Sequence, residues 1–370
     1  MSLPPYPPTS APSGPGQGPA PAAIPRTGLV LVTGAGGEMG RRLVQRLIRD
    51  GWSVRGLVLP GDPLRPQLEA WGCEVLEGDV RQPSTLGPAV AGVRTVVHCA
   101  AVILPRDPAL LDSVNHRGTV NVVRAAALAR VKHFVYVSSA SVTYPRLTPY
   151  GRSKLAAEHA VRGETAFAHT IVRPTLVYDR TGGEEFMLFL RFLQRFPVVP
   201  FIGSGEARKS PVRAEDVVDG LARMVGNPIG FGKTYNLSGG ESITIEELGR
   251  LLLNLQGQTK PFVHVPVWMY RAVALVLGLA MDRPPLTQYG VTGFVNHADL
   301  DCEEARRDLG YRPVGAREGI AGCFAPRLAP GAATLPLAAS ARVESPGSPP
   351  ASASPALPHA DPLPAFRRTP

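Results

Sequence analysis

Cysteine is scarce in this chain: four residues in 370, Cys73, Cys99, Cys302 and Cys323, with no CxxC pair and no histidine at ligand spacing. A disulfide-stapled scaffold and a zinc module are thereby excluded, and reduced thiols fit a cytoplasmic protein without a structural metal. Aromatics are 6% of the residues, and lysine supplies five of the 39 basic side chains. The formal net charge is +9, carried mostly by scattered arginine. No basic run is interleaved with aromatic residues, "RKSPVR" being the nearest, so nucleic acid is not an expected partner. The first residues have neither the basic nor the apolar segment of a secretory signal. Val265–Met281 is an apolar stretch, but Arg271 interrupts it. It reads as a buried or interfacial helix rather than a membrane anchor.

Glycine and proline, by contrast, number 39 each and are unevenly placed. Residues 1–27 and 326–370 are rich in proline, alanine and serine without apolar periodicity. Both are expected to be disordered tails, since they bury too little to offset the entropy of ordering. Between them, apolar runs alternate with helical patterns. "LVLVT" (Leu29–Thr33) is continuous, as in a strand buried on both faces. Further strands are expected at Ser53–Leu59, Cys73–Val80, Arg94–Ala101, His133–Ser139 and His169–Pro174. Helical periodicity runs from Met39 to Gly51, over about 110–130, and over Tyr150–Val161. This alternation predicts an α/β fold with a doubly wound parallel (Rossmann) sheet over residues 28–178. Residues 179–325 would form a smaller carboxyl-terminal substrate lobe, with helices near 185–196, 215–225, 244–256 and 266–281. One strand, near 234–238, would return to the sheet.

Three glycines in "TGAGGEMG" join the first strand to the first helix: Gly34, Gly37 and Gly40. In that context each has a task. Gly34 permits a tight turn, Gly37 lets a pyrophosphate reach the backbone, and Gly40 lets the helix pack close to the strand. The helix N-terminus then offers unpaired N–H groups to an anion.

The TGxxGxxG spacing resembles that of the extended short-chain dehydrogenase/reductase superfamily, in its NAD-dependent epimerase/dehydratase group. The resemblance covers nearly all of residues 28–325, with further matches in order: "GDV" (Gly78–Val80), "HCAA" (His98–Ala101), "VNHRGTVNV" (Val114–Val122), "YVSSASV" around Ser139, and "YGRSK" with Tyr150 and Lys154. The chain is also similar to the dehydrogenase-like accessory subunit of respiratory complex I and to 3β-hydroxysteroid dehydrogenase-like reductases. The resemblance implies a catalytic set of Ser139, Tyr150 and Lys154, with Asn115 completing a proton-relay water site. It implies cofactor contacts from Gly34, Gly37, Glu38, Met39, Gly40, Asp79, Val80, Ala100, Ala101, Tyr150, Lys154, Pro174 and Thr175. Asp79 would accept from the adenine amine.

Tyr150 and Lys154 lie four apart and share a helix face. A free tyrosine has a pKa of about 10, and an ammonium beside it together with an oxidised nicotinamide would favour the phenolate. The cofactor is NAD or NADP. Val58 stands where an acidic residue would hold a ribose 2′-OH, and Leu59 where arginine would meet a 2′-phosphate; Arg41, Arg42 and Arg55 are alternative phosphate partners. Nucleotide-sugar relatives carry asparagine where Leu176 stands and arginine where Lys209 stands. Three functions stay open: hydride transfer or epimerisation on a small or nucleotide-linked alcohol, reduction of apolar hydroxy/keto compounds, and a non-catalytic nucleotide-binding assembly role. The expected partner is a small-molecule substrate, with a homodimer also open. If the tails are dispensable, a chain trimmed to residues 27–325 will keep its thermal midpoint within a few degrees of the full chain. Loss of a cooperative transition in calorimetry would show that a tail docks on the core.

Overall fold

The computed structural model describes residues 26–324, apart from 106, 181–182, 271 and 273–294. The two expected tails (save Arg26 and Thr27) and most of the Val265–Met281 run lie outside the described residues. The strands are β1 Leu29–Thr33, β2 Ser53–Val58, β3 Glu74–Glu77, β4 Val93–His98, β5 His133–Val137, β6 Ala168–Pro174, β7 Val177–Tyr178, β8 Val199–Ile202, β9 Arg208–Lys209, β10 Val212–Arg213, β11 Thr234–Leu237, β12 Ile243–Thr244 and β13 Phe262–Val265. The helices are α1 Glu38–Arg49, α2 Arg65–Ala70, α3 Leu86–Val90, α4 Thr119–Leu128, α5 Pro149–Gly163, α6 Glu184–Arg195, α7 Ala214–Met224, α8 Ile245–Leu255, α9 Glu303–Leu309 and α10 Ala316–Phe324.

Seven strands form one sheet in the order β11-β6-β5-β4-β1-β2-β3. Every pairing in it is parallel. The continuous apolar runs have a simple cause. Side chains alternate across a strand, and both faces of this sheet are covered. Val30 and Val32 of β1 enter the core shared with α1 and α7, while Leu31 enters the one shared with α4 and α5. The chain winds outward from β1 to β3, then restarts at β4 on the other side of β1. That reversal leaves a crevice at the carboxyl ends of β1 and β4, where ligands of open α/β sheets bind.

The expected returning strand is β11, beside β6. Its outer edge is covered by the stretch leading into α9: Asn236 Nδ2 donates to the Asp301 carbonyl at 2.9 Å and Ser238 Oγ to the Leu300 carbonyl. Lys233 and Tyr235 both reach Asp308. Where the sequence suggests one helix over 110–130, the chain forms a π-helix over Leu111–Gly118 before α4. The remaining strands make two-stranded ribbons, β7 with β10, β9 with β12 and β8 with β13.

Helix α5 is pinned to the sheet by a buried charge. Glu158, 1% exposed, accepts Ser138 Oγ at 2.6 Å and Arg173 through Nε at 2.8 Å and Nη2 at 2.6 Å. Burial alone would raise its pKa, but the bonds from Arg173 and Ser138 outweigh burial and hold it below the usual carboxylate range. Removing one member of a buried pair strands the other. Glu158→Ala is expected to cost about 3 kcal/mol, the low end for such losses because Arg173 keeps some solvent contact. Urea denaturation would check it, and a change below about 1 kcal/mol would mean that α5 is held by packing alone.

Candidate active site

The glycine loop is built as its spacing suggests. Gly34 has φ +66°, and a Cβ there would lie 2.8 Å from the Ala100 Cα. A Cβ on Gly40 would fall 2.1 Å from the Gly34 carbonyl oxygen. Gly37 is the exposed N-cap of α1, and no side chain caps that first turn. The turn therefore presents backbone N–H groups in a cradle that a side chain on Gly37 would begin to fill, a fit for a pyrophosphate.

The other expected contacts divide. Ala100 and Ala101 follow β4 at the crevice, with the Ala100 N–H donating to Thr33 Oγ1 at 3.3 Å. Glu38 is engaged by the backbone before α6. Its Oε2 accepts the Gly183 N–H at 2.9 Å, which fastens α1 to the start of α6. Met39 packs against the core. Asp79 is gripped by Arg81 through its backbone N–H, Nε and Nη2, and those bonds hold its pKa low. An adenine amine would have to share an oxygen that already serves a cation. Val80 is buried, and its carbonyl accepts Asn121 Nδ2. Pro174 and Thr175 are buried at the end of β6, and the Thr175 hydroxyl donates to the Ser210 carbonyl.

Ser139 follows β5, and its Oγ accepts from the Ser141 N–H at 3.1 Å and hydroxyl at 3.0 Å. Its hydroxyl is close enough to Tyr150 to oppose, in part, the effect of burial on that phenol's pKa. Lys154 is 2% exposed, donates to the Val137 carbonyl at 2.6 Å, and lies 4.4 Å from the centre of the Tyr136 ring. Burial lowers its pKa to about 7. Asn115 is wholly buried: Nδ2 donates to the Val102 carbonyl at 2.8 Å and to Ser153 Oγ at 3.1 Å, while Oδ1 accepts the Val102 N–H at 2.8 Å. Its side chain shapes the loop after β4. His98 lies between Thr33 and Thr119, and burial drops its pKa to about 3, so it is neutral. Burial likewise raises the Cys99 thiol to about 12. Neither is a nucleophile or a proton shuttle at neutral pH.

Burial raises the Tyr150 pKa well above 10, and the carboxylate of Glu185 adds to the rise. The Lys154 ammonium, directed at the Val137 carbonyl, does not reverse this. Glu185 was not evident as a site residue in the sequence; the one signal is the paired acid opening α6. Its side chain keeps an open face, yet surrounding protein raises its pKa, as for a group on a cleft wall. Tyr144 and Lys209 share that wall. Lys209 is 3% exposed, with its ammonium on the Asn296 carbonyl and 5.9 Å from the Tyr144 ring centre.

Residues 30–238 match the model of the NAD dependent epimerase/dehydratase family. The chain belongs to that family. It is similar to a ceramide reductase of Caulobacter vibrioides, 35% identical over 202 residues, covering 55% of this chain and 62% of the reductase, under two thirds of that protein's length. A 3 beta-hydroxysteroid dehydrogenase/Delta 5-->4-isomerase of Mycobacterium tuberculosis is 28% identical over 325 residues, covering 78% of this chain and 86% of the relative. Among solved structures, the dTDP-glucose 4,6-dehydratase DesIV of Streptomyces venezuelae, with NAD and TYD bound, has a TM-score of 0.63 at 23% identity, covering 80% of this chain and 95% of that one. At that identity the likeness is one of fold. Among the described residues no helix is long and apolar enough to cross a membrane.

The buried lysine gives the site a pH signature. Below about pH 7 both folded and unfolded chains carry this proton, and the burial penalty is constant. Between about 7 and the usual 10.5 the unfolded chain binds more protons, so stability rises with pH. Lys154→Met removes that slope. The thermal midpoint of the wild type should therefore climb relative to the variant between pH 6.5 and 9.5, and parallel profiles would mean that Lys154 is solvated.

Proposed function

We propose that this protein is an NAD(P)-dependent oxidoreductase that reduces the carbonyl of an uncharged, largely apolar substrate to a secondary alcohol. The observation that carries the reading is the gathering of Ser139, just after β5, with Tyr150 and the buried Lys154 of α5, where burial raises the Tyr150 pKa and favours the phenol. A phenol held in its acid form suits proton donation to a carbonyl oxygen as charge develops there. Ser139 would supply a second hydrogen bond to that oxygen. When bound along the glycine loop, the reduced nicotinamide supplies a hydride to the carbonyl carbon. Lys154, anchored on Val137, would hold the ribose hydroxyls and pass a proton back to Tyr150. Asn115 would act by fixing Val102 in the loop after β4.

Charge on the cleft wall supports the uncharged substrate. A diphosphate needs free cations, and the ammonium on that wall, Lys209, already donates to the Asn296 carbonyl and feels the Glu185 carboxylate. Glu184 and Glu185 together would repel a nucleotide-linked substrate. Leu176 adds an apolar side chain beside the core that α6 and α8 share. The names of the ceramide reductase and the steroid dehydrogenase relatives agree with this class of substrate.

A screen of apolar ketones against nucleotide sugars, read at the nicotinamide band with product analysis alongside, tests the reading. Tyr150→Phe should lower kcat by ~10²- to 10⁴-fold with cofactor affinity unchanged, since acid–base groups contribute about that much. Turnover of nucleotide sugars alone would overturn the substrate class. Full activity in the variant would overturn the role of Tyr150.

A further inference from the structure

The end of β2, where the family's ribose determinant is expected, carries Val58 and Leu59 and can neither accept from a hydroxyl nor pair with a phosphate. The next residues bring a carboxylate to the same corner by a different route. Leu59, Pro60, Gly61 and Asp62 form a reverse turn: the Asp62 N–H donates to the Leu59 carbonyl at 3.1 Å and Gly61 has φ +73°. Proline second and glycine third are what a type II turn requires. The turn folds Asp62 back over the glycine loop. A Cβ placed on Gly36 would lie 2.0 Å from Asp62 Oδ2 and 2.7 Å from its Cγ, so the carboxylate rests against the Gly36 backbone. Oδ1 accepts the Leu64 N–H at 2.9 Å. Oδ2 makes no hydrogen bond among the described residues.

We propose that Asp62 is the residue that selects the cofactor, its Oδ2 accepting the 2′-OH of the adenosine ribose and its charge excluding a 2′-phosphate. This rests on the glycine loop being the dinucleotide cradle. The surroundings point the same way. Glu77 accepts Arg65 Nη1 at 3.0 Å and Glu69 accepts its Nε at 2.9 Å, so Arg65 is already shared by two carboxylates. A 2′-phosphate, bearing roughly −1.5 to −2 charges, would enter a corner where Asp62, Glu69 and Glu77 outnumber that cation. Of the arginines that could have met it, Arg42 pairs with Asp179 and Glu215. Arg55 is turned to the carbonyls of Pro88, Ala89 and Ala91. Arg41 makes no ion pair among the described residues and is the rival determinant.

Fluorescence titration of the full chain with NADH and NADPH decides between them. The wild type should bind NADH at least tenfold more tightly. Asp62→Asn keeps an oxygen to accept the Leu64 N–H, so the turn survives while the charge is lost, and the thermal midpoint checks that it does. In this variant the NADH-to-NADPH preference should shrink tenfold or more, whereas Arg41→Ala should leave the preference in place. An unchanged preference in Asp62→Asn, or a wild type that favours NADPH until Arg41 is removed, overturns the assignment. Gly37→Val separates the two ideas. If it abolishes binding of both cofactors while Asp62→Asn changes nothing, the cradle stands and Asp62 is wrong. If it leaves binding intact, the cradle itself is wrong and the assignment falls with it.

Discussion

The carbonyl of Gly34 leaves room beside it for a hydrogen atom and not for a methyl group on Gly40. That close approach sets the height at which α1 crosses the sheet, and much else follows from it. Arg42, on the next turn of α1, can then reach Asp179 beyond β7 and Glu215 in α7. Arg46 reaches Asp219 at 2.9 Å, and Glu38 takes the N–H of Gly183. The elements so fastened carry the cleft wall, because Gly183 is the N-cap of α6 and Glu185 stands in that helix's first turn. The distance between two backbones at the end of β1 thus helps set where the Glu185 charge acts on Tyr150, a residue some 110 positions beyond Gly40.

A second chain of dependence runs through α5. Helical spacing puts Lys154 and Glu158 on one face, and their fates differ because of what each meets. Glu158 finds Arg173 and stays ionised in the interior. Lys154 finds a carbonyl and an aromatic face, neither of which carries a full charge, and its pKa falls. One helix face thereby holds a permanent anion for structure and a titratable cation within reach of neutral pH.

The central strands were legible because both faces of the sheet are buried there, which makes β1 and β5 nearly continuous apolar runs. The glycine loop was legible because spacing reports backbone approach directly. Even the returning strand β11 stood out from the helices around it. The two-residue strands were not, since Lys209 pairs with Ile243 across a separation no local pattern reveals. The surroundings of Tyr150 were hidden for a related reason. Sequence shows which charge lies four residues away, but not that Lys154 is drawn to Val137 while Glu185 arrives from another element. The partners of Asn115 and Glu38 were hidden likewise, as each side chain meets a backbone group, Val102 or Gly183, outside its own local pattern.

The cover over β11 has a consequence for handling the molecule. A terminal strand in an open sheet offers a row of unsatisfied amides to any neighbouring chain, and proteins guard such rows against intermolecular β-pairing. Here the guard is the segment that enters α9, tied to Asn236 and Ser238 through the carbonyls of Asp301 and Leu300. Proteolytic nicking ahead of this segment would do more than remove two short helices. It would uncover the margin of β11 together with the core that Cys302, Ala305, Leu309 and Tyr311 help to close, a surface open to association with other chains.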